Sequence, residues 1–239
     1  MKPLGETGLL VNFGDVISPK IHQQIKMLAD YLEANPFVGM QEYVISYTSV
    51  ALYYNPFIVR KNALPYKDKS ALQIVIKIIK DYIKEAQMAP KISTRVVEIP
   101  VCYGGEYGPD INFVAEYNNL SVEEVIDIHT QAEYLVYMIG FCPGFPYLGG
   151  MDKRIATPRR TTPRLKIPAR SIGIAGNQTG GYPISTPGGW QIIGRTPIDM
   201  FRPDNQEEPS LLKSGDIVKF IAISEEEYLA EKSKEDDQI

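Results

Sequence analysis

The feature that most restricts the fold of this chain is a dense run of glycine and proline between residues 140 and 190. The run holds ten glycines and seven prolines, nearly half of the 37 in the whole 239-residue sequence. Neither residue suits a long helix or the centre of a sheet. The β-branched segments SIGIAG and WQIIGRT nevertheless thread through it, which argues against disorder. The pattern predicts a closed or nearly closed β-barrel that carries long, rigid loops.

The first ninety residues have a different texture, in which strand and helix periodicities alternate. Ser18 and Pro19 have the residue types of an N-cap and a first helical position, so a helix is predicted to start there. The predicted order is β-α-β-β-α-β, the ferredoxin-like plan, with a four-stranded antiparallel sheet and two helices on one face. The segments in that order are GLLVNFG, SPKIHQQIKMLADYLEA, the two halves of MQEYVISYTSVALYYN, KSALQIVIKIIKDYIKEAQ and TRVVEIPVCYG, the last leading into the next region.

These patterns predict an α+β protein with two domains. A ferredoxin-like domain is expected over residues 1–91 and a β-barrel domain over residues 92–225. Short helices are expected before the barrel strands, one of them opened by a capping box that pairs Ser121 with Glu124. The charged segment 226–239 is expected to be a tail, either a frayed helix or disordered.

Composition and motifs exclude several classes of function. The net charge of −4 disfavours nucleic acid as a general partner, and no long apolar run predicts a membrane span. The two cysteines, forty residues apart, suit a reducing compartment, so a cytoplasmic protein is expected. Two isolated histidines suggest no metal site, and the sequence contains neither the GxxxxGK[ST] motif of ATP-binding P-loops nor the GxSxG motif of hydrolases.

A basic segment is the first candidate for chemistry. Residues 153–170 hold seven lysines or arginines and no acid, so the rest of the chain carries a net charge of −11. Prolines at every fifth position stiffen the backbone, which lowers the entropy lost when Arg159 and Arg164 hold an anion such as a carboxylate or a phosphate. The alternative is that these arginines pair with acids of the chain itself or lie in solvent.

Two aromatic loops are the second candidate. In GFCPGFPYLGG, Pro143 and Pro146 fix the backbone on either side of Gly144. The side chains of Phe141, Phe145 and Tyr147 could form a preorganised aromatic wall, or the run could pack as a buried barrel corner. In GNQTGGYPISTPGGWQIIGRTP, Gln178, Thr179 and Ser185 could bind a small polar ligand on which Trp190 stacks, or Trp190 could fill the core. His129, near the end of a predicted amphipathic helix, is expected to be a capping or structural histidine, with a general base as the alternative.

The segments GFCPGFPYLGG, TPRRTTPRLKIPARSIGIAGNQTGGYPISTPGGWQIIGRTP and VEIPVCYGGEYGPD resemble the family of 5-oxoprolinase B subunits over nearly the whole chain. That family includes a sporulation kinase A inhibitor and is similar to allophanate hydrolase subunit 1. The resemblance implies a ferredoxin-like domain followed by a cyclophilin-like β-barrel. It also implies a cleft formed by Pro143, Gly144, Phe145, Arg159, Arg164, Gln178, Thr179, Pro187, Gly188, Gly189 and Trp190, without assigning catalytic roles.

The resemblance further implies that the chain acts with the A and C subunits of 5-oxoprolinase to cleave 5-oxo-L-proline to L-glutamate. The complex would consume ATP, without a P-loop in this chain. An alternative is a regulator that binds a sporulation histidine kinase and blocks its autophosphorylation, while prolyl isomerase activity would rest on fold analogy alone. The chain departs from the family pattern at Arg170, where glycine is usual, and at Gly181, where a β-branched residue is usual.

Overall fold

The computed structural model of the chain describes residues 1–63, 68–88 and 94–236, with side chains through residue 234. The chain forms two compact units, Met1–Ser93 and Thr94–Ile239. The boundary predicted between residues 91 and 92 lies outside the described residues. Helices and strands occur in both units, so the predicted α+β class is confirmed. No helix in the described part is both long enough and apolar enough to cross a bilayer.

The first unit packs helices against a small antiparallel sheet. Its first long helix begins as predicted, because the Ser18 hydroxyl accepts the backbone N–H of Ile21 at 3.3 Å. Ile25, Leu28 and Leu32 are buried on one face of this helix. The described elements of the unit are β1 (Lys2–Leu4), β2 (Gly8–Asn12), α1 (Pro19–Ala34), β3 (Met40–Ile45), β4 (Ser49–Tyr54), α2 (Pro56–Asn62) and α3 (Ala71–Met88).

One of the four strands predicted for the first sheet is wrong. The sheet has the order β1-β2-β4-β3, and its fourth member is the N-terminal Lys2–Leu4 rather than the segment TRVVEIPVCYG. Lys2–Leu4 folds back on β2 through a tight turn with Gly5 at φ +60°. The other three strands keep the antiparallel pairing expected of the ferredoxin-like plan, and that name stays a prediction.

The second unit is built on a seven-stranded sheet of order β10-β9-β12-β5-β13-β6-β7. Its two edge strands approach each other, since a Cβ placed on Gly180 would lie 3.1 Å from the carbonyl oxygen of Pro146. The predicted, nearly closed barrel is therefore confirmed, and the cyclophilin-like name stays a prediction. The described elements are β5 (Val96–Tyr103), α4 (Ile111–Tyr117), α5 (Val122–Gln131), β6 (Tyr134–Ile139), β7 (Pro146–Gly149), a 3-10 helix (Lys153–Ile155), β8 (Arg164–Ile167), β9 (Ser171–Ala175), β10 (Gln178–Gly181), β11 (Thr186–Gly188), β12 (Gln191–Arg195), β13 (Ile217–Ile223) and α6 (Glu225–Asp236).

Two helices of the second unit can be compared with the sequence predictions. The predicted capping box at α5 is present, with the Ser121 hydroxyl accepting the Glu124 N–H and the Glu124 carboxylate accepting the Ser121 N–H. The charged tail forms α6 rather than a disordered segment, because Tyr228 is buried against Tyr107, with ring centroids 4.5 Å apart. Residues 237–239 lie outside the described part of the chain.

Arg170 occupies a backbone conformation that favours glycine. Its φ is +70°, and its Nε donates to the carboxylate of Asp199 at 2.6 Å. Both Arg170→Ala and Arg170→Gly remove the ion pair, but only alanine keeps the left-handed strain. We expect the alanine variant to be less stable than the glycine variant by about 1 kcal/mol, the reverse of the usual order. Urea unfolding of the two variants tests this, and equal midpoints with equal slopes would contradict it.

Candidate functional site

The turn GFCPGF between β6 and β7 is closed by its own backbone. The N–H of Gly140 donates to the carbonyl of Phe145 at 3.0 Å, and the N–H of Phe145 donates to the carbonyl of Cys142 at 3.1 Å. Gly144 has φ +79°, and a Cβ there would lie 2.9 Å from Cβ of Phe201. Phe141 has φ +67° while its side chain is 64% exposed. The turn therefore presents an exposed aromatic ring from a backbone position that is strained for any residue but glycine.

The aromatic residues behind this turn are core rather than an open wall. Phe145 is 2% exposed and Trp190 is 7% exposed, and their rings meet edge to face at 5.6 Å. Tyr182 joins them, 5.5 Å from Phe145. The prediction that Phe145 and Trp190 face a ligand directly is wrong in this structure, because each ring covers the others. They form the aromatic floor beneath the surface loops.

Thr179 is likewise corrected, because its side chain points into the core. It is fully buried, and its hydroxyl donates to the carbonyl of Gly173 at 3.0 Å. The same oxygen lies 2.8 Å from Nε2 of His129, whose Nδ1 lies 2.7 Å from the hydroxyl of Tyr103. Since the Thr179 proton goes to Gly173, Nε2 must donate to Thr179 and the hydroxyl of Tyr103 must donate to Nδ1.

This directed chain of hydrogen bonds makes His129 structural, as expected from the sequence. The imidazole is fully buried, and burial lowers its pKa from 6.5 to about 3. It is therefore neutral at physiological pH and stacks on Phe220 with centroids 4.5 Å apart. Because α5 carries His129 and β10 carries Thr179, the hydrogen bonds tie the helix to one edge of the barrel.

A short ribbon of two strands brings the basic segment onto the aromatic floor. β8 and β11 pair with Arg164 opposite Gly188, and the N–H of Arg160 donates to the carbonyl of Gly189 at 2.7 Å. A side chain at Gly188 would collide with the Tyr182 hydroxyl, its Cβ lying 2.6 Å away. Glycine is therefore required where the ribbon crosses Tyr182.

The hydroxyl of Tyr182 lies where the ribbon and the floor meet. It accepts the backbone N–H of Trp190, and burial raises its pKa to about 12. Arg159 and Arg164 lie near enough to oppose that rise electrostatically, and Cys142 near enough to add to it. Burial also raises the pKa of the Cys142 thiol, which disfavours a reactive thiolate.

Arg164 does not project freely into solvent. Its Nη1 and Nη2 donate to the two carboxylate oxygens of Asp110 at 2.7 and 2.8 Å. Arg160 donates to the same carboxylate at 2.9 Å. The alternative of pairing with the protein's own acids is thus realised for Arg164. Arg159 differs, because it is exposed and pairs with no acid among the residues that the structure describes.

The predicted site residues therefore separate into a buried and a surface set. Gly144, Phe145, Thr179 and Trp190 are buried, whereas the others reach the surface at least in part. In the described ranges, no group of three or more His, Cys, Asp or Glu residues is placed to hold a metal ion. The surface set comprises Pro143, Arg159, Arg164, Gln178, Pro187, Gly188 and Gly189.

Comparisons with known proteins place the chain in a family. Residues 1–212 match the model described as carboxyltransferase domain, subdomain C and D. The chain is 49% identical to the 5-oxoprolinase B subunit of Bacillus subtilis, over 98% of this chain and 97% of that protein. The chain belongs to the family of 5-oxoprolinase B subunits.

Solved structures are similar to the chain in fold. A conserved uncharacterised protein from Pyrococcus horikoshii is 45% identical, with a TM-score of 0.55, over 95% of this chain and 99% of that one. Urea amidolyase of Kluyveromyces lactis is 20% identical with a TM-score of 0.72, over 97% of this chain and 15% of that one. The second likeness shows the fold alone.

Sequence reasoning missed three residues of this surface, namely Asp110, Arg160 and Tyr182. The sequence around Asp110 indicates only the start of a helix. In the structure, its carboxylate accepts hydrogen bonds from two arginines and from the N–H of Ile192. The available signal was the charge imbalance of residues 153–170, because so many cations require a carboxylate from elsewhere in the chain. The sequence alone does not say which carboxylate it is.

Proposed function

We propose that the chain is the B subunit of an ATP-dependent 5-oxoprolinase, and that it acts with the A and C subunits to convert 5-oxo-L-proline to L-glutamate. The observation that carries this proposal is the 49% identity to a 5-oxoprolinase B subunit over almost the full length of both proteins. Opening the lactam amide adds water and produces an amino group and a second carboxylate. In this proposal, the complex drives that step with ATP and works in the cytoplasm.

The surface built on the ribbon suits an anionic substrate. Arg159 is exposed and unpaired with any acid in the described residues, while Arg164, five residues later, is one-quarter exposed. Charge-assisted hydrogen bonds from arginine are strong and directional toward carboxylate and phosphoryl oxygens. The sequence contains no P-loop motif. We therefore assign ATP binding to a partner subunit and direct binding of the substrate anion to Arg159, with Arg164 supplying positive charge beside it.

Reconstitution tests this proposal. Purified A and C subunits from the same organism are assayed for glutamate release from 5-oxo-L-proline and ATP, with this chain added or omitted. We expect turnover to require the chain and to fall about tenfold or more in Arg159→Ala. Arg154→Ala is the matched control, because Arg154 belongs to the same basic segment but pairs with Asp152, two residues away. Full turnover without the chain would contradict the proposal.

The exposed Phe141 supports a second candidate function, the docking of this turn on a histidine kinase. An aromatic residue that occupies a strained backbone position and is 64% exposed suits a protein contact better than a core role. In an autophosphorylation assay, the wild-type chain should inhibit a sporulation kinase, and Phe141→Ala should lose that inhibition. A kinase unaffected by excess wild-type chain would exclude this candidate.

A further inference from the structure

Asp110 holds two arginines in one place. It lies at the start of α4, is 5% exposed, and accepts four hydrogen bonds of 2.7 to 2.9 Å. Three come from the guanidinium groups of Arg160 and Arg164, and the fourth comes from the backbone N–H of Ile192. Because both carboxylate oxygens are shared between these donors, Asp110 fixes the position of both guanidinium groups.

The cluster carries more positive than negative charge. One buried carboxylate faces two guanidinium groups whose side chains are 35% and 25% exposed. The excess charge is therefore presented to solvent. Arg159 adds a third cation immediately before Arg160, and residues 153–170 contain no acid to offset it. Such a surface attracts small anions.

Arg160 has an unused binding edge. Only its Nη1 reaches Asp110, whereas both Nη groups of Arg164 do so. Its Nε is shielded from solvent and has no hydrogen-bond partner. An unpaired buried N–H is unfavourable and uncommon in folded proteins. The Nε and Nη2 groups of arginine lie side by side, and this edge binds two oxygens of a carboxylate or phosphate in parallel.

We propose that Arg160, held by Asp110, uses its Nε and Nη2 edge to bind a two-oxygen anionic group, with Arg164 supplying adjacent positive charge. Binding moves aside the atoms that cover Nε and gives that N–H an acceptor. Asp110 is a positioning residue, because its carboxylate acts through the two arginines. The inference rests on the proposed function in its choice of ligand: the carboxylate of 5-oxo-L-proline, or a phosphoryl group formed at the expense of ATP.

Titrations of the full-length chain with 5-oxo-L-proline, and separately with inorganic phosphate, test the site and distinguish the two sources of the anion. We expect Arg160→Gln to weaken binding of the preferred probe about tenfold or more. Arg160→Lys should also weaken it, since lysine keeps the charge but not the two-donor edge. Arg154→Gln is the control and should bind as the wild type does.

Asp110→Asn separates positioning from simple electrostatics. Removing a negative charge would by itself tighten anion binding, whereas losing the alignment of the arginines weakens it. We expect weaker binding, with Asp110→Glu recovering part of the affinity. Trp190 fluorescence shows whether each variant is folded. Tighter binding by a folded Asp110→Asn variant, or wild-type affinity in both Arg160 variants, would overturn the proposal, as would a wild-type chain that binds neither probe.

The reconstituted complex separates this inference from the proposed function. If turnover requires the chain but the KM for 5-oxo-L-proline is unchanged in Arg160→Gln, and that variant binds both probes as the wild type does, the anion site is wrong and the proposed function stands. If Arg160→Gln loses probe binding but the chain is dispensable for turnover, the anion site stands and the proposed function is wrong.

Discussion

Acidification from pH 7 to pH 5 is expected to lower the free energy of unfolding of the second unit by about 2 kcal/mol through His129 alone. The imidazole is fully buried between Tyr103 and Thr179, and its pKa falls from 6.5 to about 3 on burial. Between these two values the unfolded chain binds a proton that the folded chain does not. The stabilising contribution is therefore complete above pH 6.5 and is lost as the pH falls toward 3.

The comparison variant is His129→Gln, which cannot titrate in this range. Urea unfolding at a series of pH values, followed by the fluorescence of Trp190, gives the slope of the free energy of unfolding against pH. Trp190 reports on the second unit because it is the only tryptophan and lies there. Carboxylates contribute equally to both proteins, so the difference in slope isolates His129. Parallel pH profiles would show that the imidazole is not held neutral in the folded state.

Truncation of Phe145 is expected to destabilise the second unit by about 3–5 kcal/mol. Its ring contacts Tyr182 and Trp190 edge to face and is 2% exposed. Phe145→Ala therefore leaves a cavity beneath the ribbon. Phe141→Ala, four residues earlier in the same turn, should cost less than about 1 kcal/mol, because that ring is mostly in solvent.

Urea unfolding followed by far-ultraviolet circular dichroism measures both variants without relying on the altered surroundings of Trp190. Comparing Phe145→Ala with Phe141→Ala controls for the general effect of shortening a side chain in the turn. A cost at Phe145 no larger than that at Phe141 would show that the aromatic floor is not a packed core. That outcome would restore the prediction of an open aromatic wall.

The parts of the fold that the sequence predicts are those with local signals. Ser18 before Pro19 marks the start of α1, and Ser121 with Glu124 marks that of α5, because caps are formed by residues two or three apart. The helix α2 has a similar signal, since Asn55 precedes Pro56 and its side chain accepts the N–H groups of Phe57 and Ile58.

The missed features depend on partners that are distant in the chain. Strand β8 has four residues and lies between two prolines, and strand β11 has three residues, two of which are proline and glycine. Their own sequences therefore favour loops. They form because each supplies the other's hydrogen bonds. Likewise, Asp110 meets Arg160 and Arg164 across 50 and 54 residues. Burial of Phe145 by Trp190 is equally non-local, so the sequence supports a packed corner and an open wall alike.

The parallel pairing of β5 with β13 has a consequence for biosynthesis. β5 begins at Val96, yet its neighbour on one side, Ile217–Ile223, follows more than a hundred residues later, and the two pair over seven consecutive positions. During translation, β5 leaves the ribosome more than a hundred residues before that neighbour. Chains that stop near residue 212 would lack it altogether. The barrel sheet can therefore be completed only after residues 217–223 have been made, so its closure is a late step in the folding of this unit.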